Sequence, residues 1–263
     1  MGNKNQLKQA WYDRLLTVSE ERKPADSLSS STGELSIEEA YEVQAMLVDE
    51  RIRRGERVIG WKVGATSQAV MDQLKIDEPI FGCMTSQSYY SSLREVKTSD
   101  FFKLAIEPEI AFIMGKTLRG PGLTHADVIL ATSGIMAAVE LVDCRIKDWK
   151  ASTTELVADN ACHAGIILGP FTKPISGFDL TREGVVLTKN GQLLASACGV
   201  EALGNPINVV TWLANKLAEF DKEIRAGEII STGSLTPFFF VEPGDVMNVS
   251  SSNLGSIQFV IAP

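Results

Sequence analysis

A nine-residue apolar segment that carries two acidic residues constrains this chain more than any other part of its sequence. The segment 104–112 reads LAIEPEIAF, a pattern typical of a buried strand. Residues two apart in a strand point to the same face of a sheet, so Glu107 and Glu109 should project together from an apolar surface. Neighbouring carboxylates repel each other, and burying them is costly unless a cation neutralises them. The segment therefore predicts a strand with an acidic pair beside a cation.

A third acidic residue has the same setting. Glu140 is the single charged residue of the apolar run 135–142. Any one of these acids could face water from an edge strand, but three acids inside apolar runs favour a shared site for a hard divalent cation such as Mg²⁺, which prefers oxygen ligands. Pro108 lies between the first two acids, and proline in sheets is confined to edges and bulges. It is compatible with a bulge that aims both carboxylates at one point.

Lys62 is the second candidate for a functional residue. It is the one charged residue of the apolar segment 58–66, and glycines flank it at positions 60 and 64. A partly buried lysine near a metal would have a lowered pKa and could transfer protons at neutral pH. The alternative is a surface lysine whose stem packs on apolar residues while its ammonium group reaches water.

Two polar turns are further candidates. The turn 159–163 reads DNACH, and it either lines a substrate pocket or is a loop capped by its Asp and Asn. His163 could be an acid–base group or a structural histidine. The turn 232–234 reads TGS, and its hydroxyl and N–H groups could bind a carboxylate or an oxyanion, or simply end a strand. Cys162 has no evident base partner, so the sequence does not predict a cysteine nucleophile.

The rest of the chain predicts an α+β fold with a helical N-terminal subdomain over residues 1–55 and a β core over residues 56–263. Helices are predicted at 5–21, 36–55 and 206–220, with a loop at 23–34. Asn190-Gly191 predicts a two-residue hairpin turn, and His125 a helix start. Strands are predicted at 57–63, 105–114, 137–143, 164–169, 184–189, 228–232, 246–250 and 256–261.

Composition limits the class of protein. The formal net charge of −8 argues against a nucleic-acid partner, because nucleic-acid binders normally carry a basic stripe. No apolar stretch approaches the roughly 18 residues of a membrane span. The four cysteines form no CxxC pair, which fits reduced thiols and argues against a thiolate zinc site. We therefore expect a cytoplasmic protein that binds neither membrane nor nucleic acid.

Taken together, the motifs resemble the 2-keto-4-pentenoate hydratase / 4-oxalocrotonate decarboxylase family of the fumarylacetoacetate hydrolase superfamily. The resemblance runs from about residue 36 to the C-terminus. It rests on Gly60-x-Lys62-x-Gly64-x-Thr66-Ser67, Glu107-x-Glu109, ELVDCR at 140–145, VADNA at 157–161 and Thr232-Gly233-Ser234.

The resemblance implies a mixed β-sandwich or β-roll core, a homo-oligomer and a role in meta-cleavage catabolism of aromatic compounds. It also implies Mg²⁺ or Mn²⁺ bound by residues matching Glu107, Glu109 and Glu140, with Lys62 as the catalytic lysine. The substrate would be a small 2-oxo acid. The predicted substrate-binding residues are Gly64, Thr66, Asp159, Asn160, Cys162, Thr232, Gly233 and Ser234.

One departure from the family pattern leaves the reaction open. Hydratases of the family typically carry an acid in a Pro-Asp-Phe/Tyr-Gly segment, whereas residues 79–82 here read Pro-Ile-Phe-Gly and resemble the decarboxylases. The segments 145–149 and 233–237 look hydratase-like instead. We predict a lyase that adds water to a 2-hydroxy-2,4-dienoate or 2-oxo-enoate. The alternatives are decarboxylation of 4-oxalocrotonate, C–C hydrolysis of an acylpyruvate, and a non-catalytic metal-binding or ligand-binding partner in a complex with a sister pathway enzyme.

Overall fold

The computed structural model describes residues 2–90 and 95–263. Within these residues the helices are α1 (Gly2–Glu21), α2 (Leu28–Thr32), α3 (Ile37–Arg53), α4 (Gln68–Leu74), α5 (His125–Ala131), α6 (Thr153–Ala158) and α7 (Pro206–Ala218). The strands are β1 (Val58–Gly64), β2 (Ile80–Thr85), β3 (Tyr89–Tyr90), β4 (Val96–Lys97), β5 (Ala105–Met114), β6 (Thr132–Val142), β7 (His163–Leu168), β8 (Gly184–Lys189), β9 (Gln192–Cys198), β10 (Ile229–Ser231), β11 (Phe239–Phe240), β12 (Val246–Ser251) and β13 (Gly255–Ala262).

The strands form two sheets. Among the described residues, the larger sheet has eight strands in the order β2-β1-β10-β5-β6-β7-β3, and β11 also pairs with β5. The smaller sheet has the order β4-β13-β12-β8-β9. The larger sheet is mixed, because β1 runs parallel to β10 while β5 runs antiparallel to both β10 and β6. This mixed β core with added helices is the predicted α+β class.

Strand β5 divides the larger sheet into two chemically different faces. Ile106, Ile110 and Phe112 point into the main hydrophobic core, where each is fully buried. Glu107 and Glu109 point to the opposite face, as the period of two requires. The core thus fixes which face of β5 presents its acids.

The proline between these acids does not cause the bulge that the sequence left open. The β5–β6 ladder keeps its register through Pro108, which lies opposite Val139, and shifts only at Ile113/Met114. The Pro108 carbonyl accepts a hydrogen bond from the Leu235 N–H at 3.0 Å, so the backbone of this residue faces away from β6. The missing N–H of proline therefore removes no bond from the β5–β6 ladder.

Most predicted elements are present, with two clear errors. The three predicted helices correspond to α1, α3 and α7, and Asn190 and Gly191 adopt φ values of 54° and 80° in the β8–β9 turn, as the hairpin prediction requires. The predicted loop 23–34 was wrong in part, because α2 lies inside it. The run of Ser and Thr in this segment is typical of a loop, but a Ser27 cap and the fully buried Leu28 stabilise a helix there. Strand β6 begins at 132, five residues before the prediction.

The N-terminal helices pack directly on the β core. The Tyr41 ring stacks on Phe81 of β2 with 4.3 Å between ring centroids. The buried Gln44 side chain donates to the carbonyls of Phe81, at 3.0 Å, and Val157, at 2.8 Å. Residues of α1, α3 and both sheets share one hydrophobic core, and the division of the chain at residue 55 stays a prediction. None of the helices in the described ranges is long and apolar enough to cross a membrane.

Candidate metal centre

Three glutamates meet on one face of the larger sheet. Glu107 of β5 lies directly opposite Glu140 of β6, and Glu109 follows two residues later on the same face. One carboxylate oxygen of each lies within 4.8 Å of the others. Glu109 and Glu140 are fully buried and Glu107 is half-buried. The structure thus brings together the three acids that the apolar runs singled out.

Glu109 is fixed by the end of β10. Its Oε2 accepts hydrogen bonds from the Ser231 hydroxyl and from the Gly233 N–H, the latter at 3.0 Å. Its Oε1 is buried and has no hydrogen-bond partner in residues 2–90 or 95–263. Burial and the charges of Glu140 and Glu107 raise the pKa of Glu109 well above its ordinary value, and burial raises the pKa of Glu107 to about 7.

Lys62 of β1 lies on the same face and contacts the acids. Its Nζ is 3.1 Å from Glu140 Oε2 and donates to the Ala161 carbonyl at 2.9 Å. Burial lowers the pKa of Lys62, but the three carboxylates outweigh burial and raise it above its ordinary value. The sequence led us to expect a lowered pKa for Lys62 beside a metal. In the metal-free chain the pKa is raised instead, and the lysine stays charged.

The loop that accepts this bond approaches closely because β2 carries a glycine opposite Lys62. A Cβ added to Gly82 would lie 2.5 Å from the Asn160 carbonyl oxygen. Any side chain at position 82 would push the 159–162 loop away from the lysine.

His163 holds the third acid from the far side. This fully buried histidine lies with Nδ1 2.7 Å from Glu140 Oε1 and Nε2 3.0 Å from the Ser88 hydroxyl. Burial lowers the pKa of His163. Burial also raises the pKa of Glu140, but Lys62 and His163 outweigh that effect, so the pKa of Glu140 is lowered. Glu140 is thus an oriented carboxylate with Oε1 engaged and Oε2 turned toward Lys62.

These residues fit a hard divalent cation. Three carboxylates face a single lysine, which leaves excess negative charge in a buried site. The orphaned Glu109 Oε1 supplies an oxygen donor with no other partner. An all-oxygen donor set with room for further ligands suits Mg²⁺ or Mn²⁺.

A second cluster, Cys144, Asp159 and Cys162, is less suited to a cation. The Arg145 guanidinium pairs with Asp159 at 2.7 Å and places a positive charge there. A hydrogen bond with Cys144, together with burial, raises the pKa of the Cys162 thiol. Cys162 is therefore a protonated, unactivated thiol, in keeping with the absence of a predicted nucleophile.

The predicted substrate-binding residues divide into two groups. Gly64 lies next to Lys62, and the buried Thr66 packs against Gly233, whose added Cβ would be 2.3 Å from the threonine hydroxyl. Gly233 itself donates to Glu109. These three residues therefore border the acidic cluster.

Four of the remaining predicted residues use their side-chain polar groups in hydrogen bonds within the protein. The Asn160 amide bonds both backbone groups of Cys83, at 2.8 and 2.9 Å. The Thr232 hydroxyl donates to the Ile110 carbonyl at 2.7 Å, and the Ser234 hydroxyl to the Thr236 carbonyl at 2.6 Å. Asp159 accepts from Arg145. These groups hold the two turns in place, and a substrate-binding role for them stays a prediction.

Sequence reasoning missed Ser231, Ser88 and the Ala161 carbonyl, and it left the role of His163 open. A histidine at the start of the apolar run 163–168 is a weak signal of a buried partner for a charge. The two serines and the carbonyl carry no sequence signal, since only the fold brings them to the acids.

Fold and site together define a metal-dependent enzyme on a mixed β core, with three acidic side chains and one buried lysine. The family model of the fumarylacetoacetate (FAA) hydrolase C-terminal region matches residues 57–262. The chain belongs to the fumarylacetoacetate hydrolase family, as its motifs predicted.

Two hydratases and one decarboxylase are similar to this chain over most of its length. A 2-hydroxypent-2,4-dienoate hydratase of Pseudomonas putida is 40% identical over 79% of this chain and 94% of its own length. A 2-keto-4-pentenoate hydratase of Paraburkholderia xenovorans (strain LB400) is 35% identical over 90% of this chain and 88% of its own length. The solved structure of 4-oxalocrotonate decarboxylase from Pseudomonas putida G7, complexed with magnesium and adipate, is 31% identical and superposes with a TM-score of 0.94 over 98% of this chain and 97% of that one.

Proposed function

We propose that this protein is a divalent-metal-dependent hydro-lyase that adds water to a 2-hydroxy-2,4-dienoate, or to the equivalent 2-oxo-enoate, in meta-cleavage catabolism of aromatic compounds. The observation that carries the proposal is the cluster of Glu107, Glu109 and Glu140 in contact with a buried, charged Lys62. The hydratase names of the sequence relatives support the reaction class.

Each residue of the cluster has a distinct part in this proposal. A divalent cation held by the three carboxylates would supply Lewis-acid polarisation of the substrate's 2-oxo and carboxylate groups. Lys62 holds a proton at Nζ on the same face, and is placed to give and take back the proton that tautomerisation moves. His163 keeps Glu140 oriented, and the Gly233 N–H does the same for Glu109.

Decarboxylation is a second candidate, favoured by one observation. Ile80 of β2 lies opposite Gly64 on the Lys62 face, at the position where the hydratase pattern has an acid. An isoleucine cannot activate water, so Lys62 alone would serve proton transfer on this side of the site. The close structural match to a decarboxylase agrees with this candidate.

Product analysis separates the two reactions. Purified protein with Mg²⁺ should remove the absorbance of 2-hydroxypenta-2,4-dienoate and yield a hydrated product without CO₂, and EDTA should stop the reaction. Glu107→Gln should abolish turnover, whereas Glu201→Gln at an exposed position should not. CO₂ release from 4-oxalocrotonate without hydration of the monocarboxylic dienoate would establish the second candidate instead.

Other outcomes address the remaining alternatives. Cleavage of an acylpyruvate would identify a C–C hydrolase. Binding of Mg²⁺ without turnover of any of these compounds would identify a non-catalytic partner. A cytoplasmic location, a homo-oligomer and a complex with a sister pathway enzyme remain proposals. Cell fractionation would test the first, size-exclusion chromatography the second and co-purification the third.

A further inference from the structure

Three aromatic rings pack together at the start of β5, the strand that carries Glu107 and Glu109. Phe240 of β11 pairs with Ala105, two residues before Glu107 on that face of β5. The rings of Phe238 and Phe240 are 5.4 Å apart, as expected for alternate residues of one extended segment. Trp149 stacks on Phe238 at 5.1 Å and meets Phe240 edge-on at 5.4 Å. We call Trp149, Phe238 and Phe240 the aromatic wall.

Two rings of the aromatic wall are partly exposed to solvent. Phe238 and Phe240 are 43% and 38% exposed, whereas Glu109 and Glu140 are fully buried. Rings exposed next to a buried polar cluster offer an apolar surface to whatever enters it.

Two polar groups at the aromatic wall, one of them from the adjacent Lys103, have no hydrogen-bond partner among the described residues. The Lys103 ammonium lies 4.1 Å from the Phe240 ring centroid and makes no hydrogen bond or ion pair with any residue that the structure describes. Trp149 Nε1 is buried and has no acceptor within the same residues. A buried indole N–H normally finds an acceptor, so this donor is available to a ligand group. A cation and an N–H donor beside one aromatic surface suit a carboxylate.

The separation between the two ends of the site matches a short acid. Ala105, which Phe240 faces, lies about 7 Å from Glu107 along the strand, at ~3.3 Å per residue. An extended six-carbon acid spans about 6 Å between its terminal carbons, from C–C bonds of about 1.5 Å. An acid of this length with its 2-oxo end at the glutamates therefore spans about the backbone distance from Glu107 to Ala105, the residue that Phe240 faces.

We propose that Lys103 and Trp149 Nε1 form a subsite for a distal carboxylate, so that the preferred substrates are 2-oxo or 2-hydroxy dienoic acids with a second carboxylate at about the sixth carbon. Phe238 and Phe240 pack against the apolar carbons between the two ends. This inference rests on the proposed function, since it places the 2-oxo end of the substrate at Glu107, Glu109 and Glu140. It adds a preference for dicarboxylates over monocarboxylates.

Two six-carbon acids that differ only at the far end test the subsite. Titration calorimetry in Mg²⁺ should show that 2-oxoadipate binds at least about tenfold more tightly than 2-oxohexanoate, the range expected for charged hydrogen bonds. Lys103→Met keeps the side-chain stem over Phe240 and removes the charge, so it should bring the ratio close to one by weakening 2-oxoadipate alone. Trp149→Phe keeps a ring and removes the donor, and should reduce the ratio about threefold or more.

The controls separate this inference from the proposed function. Lys116→Met removes an exposed charge just beyond the other end of β5, and should leave the ratio unchanged. Equal affinity of the wild-type protein for both acids, or equal weakening of both by Lys103→Met, would overturn the subsite while leaving the proposed function intact. If neither acid binds in Mg²⁺, the proposed function itself fails. A higher kcat/KM for the dienoate with a distal carboxylate, lost in Lys103→Met, would support the same assignment during turnover.

Discussion

At the scale of single residues, His163 decides how Glu140 is presented. Its Nδ1 engages one carboxylate oxygen, and its Nε2 is held by Ser88, so the other oxygen stays directed at the cluster. A side chain that orients a metal ligand in this way also contributes to the metal affinity of the site.

Replacing this histidine should weaken metal binding without removing any ligand. We expect His163→Leu to lower the affinity for Mn²⁺ by about 10–100-fold, because Glu140 loses its fixed rotamer and its hydrogen bond. Ser88→Ala, which leaves the Nδ1 contact in place, should have a smaller effect. Titration calorimetry with Mn²⁺ measures both, and circular dichroism checks that the variants fold. An unchanged dissociation constant in His163→Leu would refute the orienting role.

The sequence predicted residues of the cluster to different degrees, for a physical reason. Glu107 and Glu109 follow from the period of two within one strand, and Glu140 from its apolar surroundings. The partnership of Glu140 with His163 depends on the register of β6 against β7, which shifts between Leu141 and Val142. Such a shift arises from packing across the whole sheet and leaves no local trace in the sequence.

At the scale of elements, Glu155 joins two short helices. It is the third residue of α6 and forms a capping box with Ser152. The same buried carboxylate accepts hydrogen bonds from the Ser29 N–H at 3.0 Å and the Ser27 hydroxyl at 2.8 Å, at the start of α2. Helix α2 was predicted as loop and α6 was not predicted, because segments of six or fewer residues show too little periodicity. Tertiary hydrogen bonds, rather than local sequence, stabilise both helices.

The link between these helices should depend on pH. Burial raises the pKa of Glu155, but the hydrogen bonds from Ser152, Ser29 and Ser27 outweigh burial and lower it. A carboxyl with a lowered folded-state pKa stabilises the protein above its unfolded pKa and loses this effect as the pH falls through the folded value. Glu155→Gln should therefore reduce the free energy of unfolding at pH 7 by about 1.5–3 kcal/mol, because one N–H donor would then face another.

Urea unfolding of Glu155→Gln and wild type at pH 7 and at pH 3 measures this dependence. The difference between the two proteins should shrink at the lower pH, since the unfolded carboxyl titrates near 4.3. Glu39→Gln removes the corresponding acid from the capping box of α3, which is less buried, and should have a smaller effect at both pH values. A difference that stays constant with pH would contradict the charged role of Glu155.

At the scale of the whole molecule, the sequence predicts the arrangement of the β core better than its junction with the helices. Strands β5 and β8 match their predicted limits, because alternation and turn residues mark them locally. The attachment of α3 to β2 and α6 through Gln44 joins residues that are 37 and 113 positions apart, and no spacing rule predicts it. The same holds for the aromatic wall, which unites segments of the chain that are distant in sequence.

The acidic cluster should make the stability of the whole protein depend on metal. Without a cation, three carboxylates crowd a buried site, and the raised pKa of Glu109 shows the cost of charging it there. In Glu109→Gln, the amide oxygen can keep the bonds from Ser231 and Gly233, while the new NH₂ takes the position of the orphaned Oε1. We therefore expect this variant to unfold at the same temperature as wild type in EDTA, or at a higher one.

Magnesium should reverse that order. A cation at 100 times its dissociation constant adds about 2.7 kcal/mol to the stability of a protein that binds it only when folded. Thermal unfolding of wild type should thus shift upward in Mg²⁺, while Glu109→Gln should show little or no shift. Equal shifts in the two proteins would place the cation elsewhere, and a Glu109→Gln variant much less stable than wild type in EDTA would mean that this carboxylate serves the fold. We thus expect the order of stability of wild type and Glu109→Gln to reverse between EDTA and Mg²⁺. Such a reversal would link the excess negative charge of the site to metal binding, because the Glu109 carboxylate would lower stability without the cation and raise it with the cation bound.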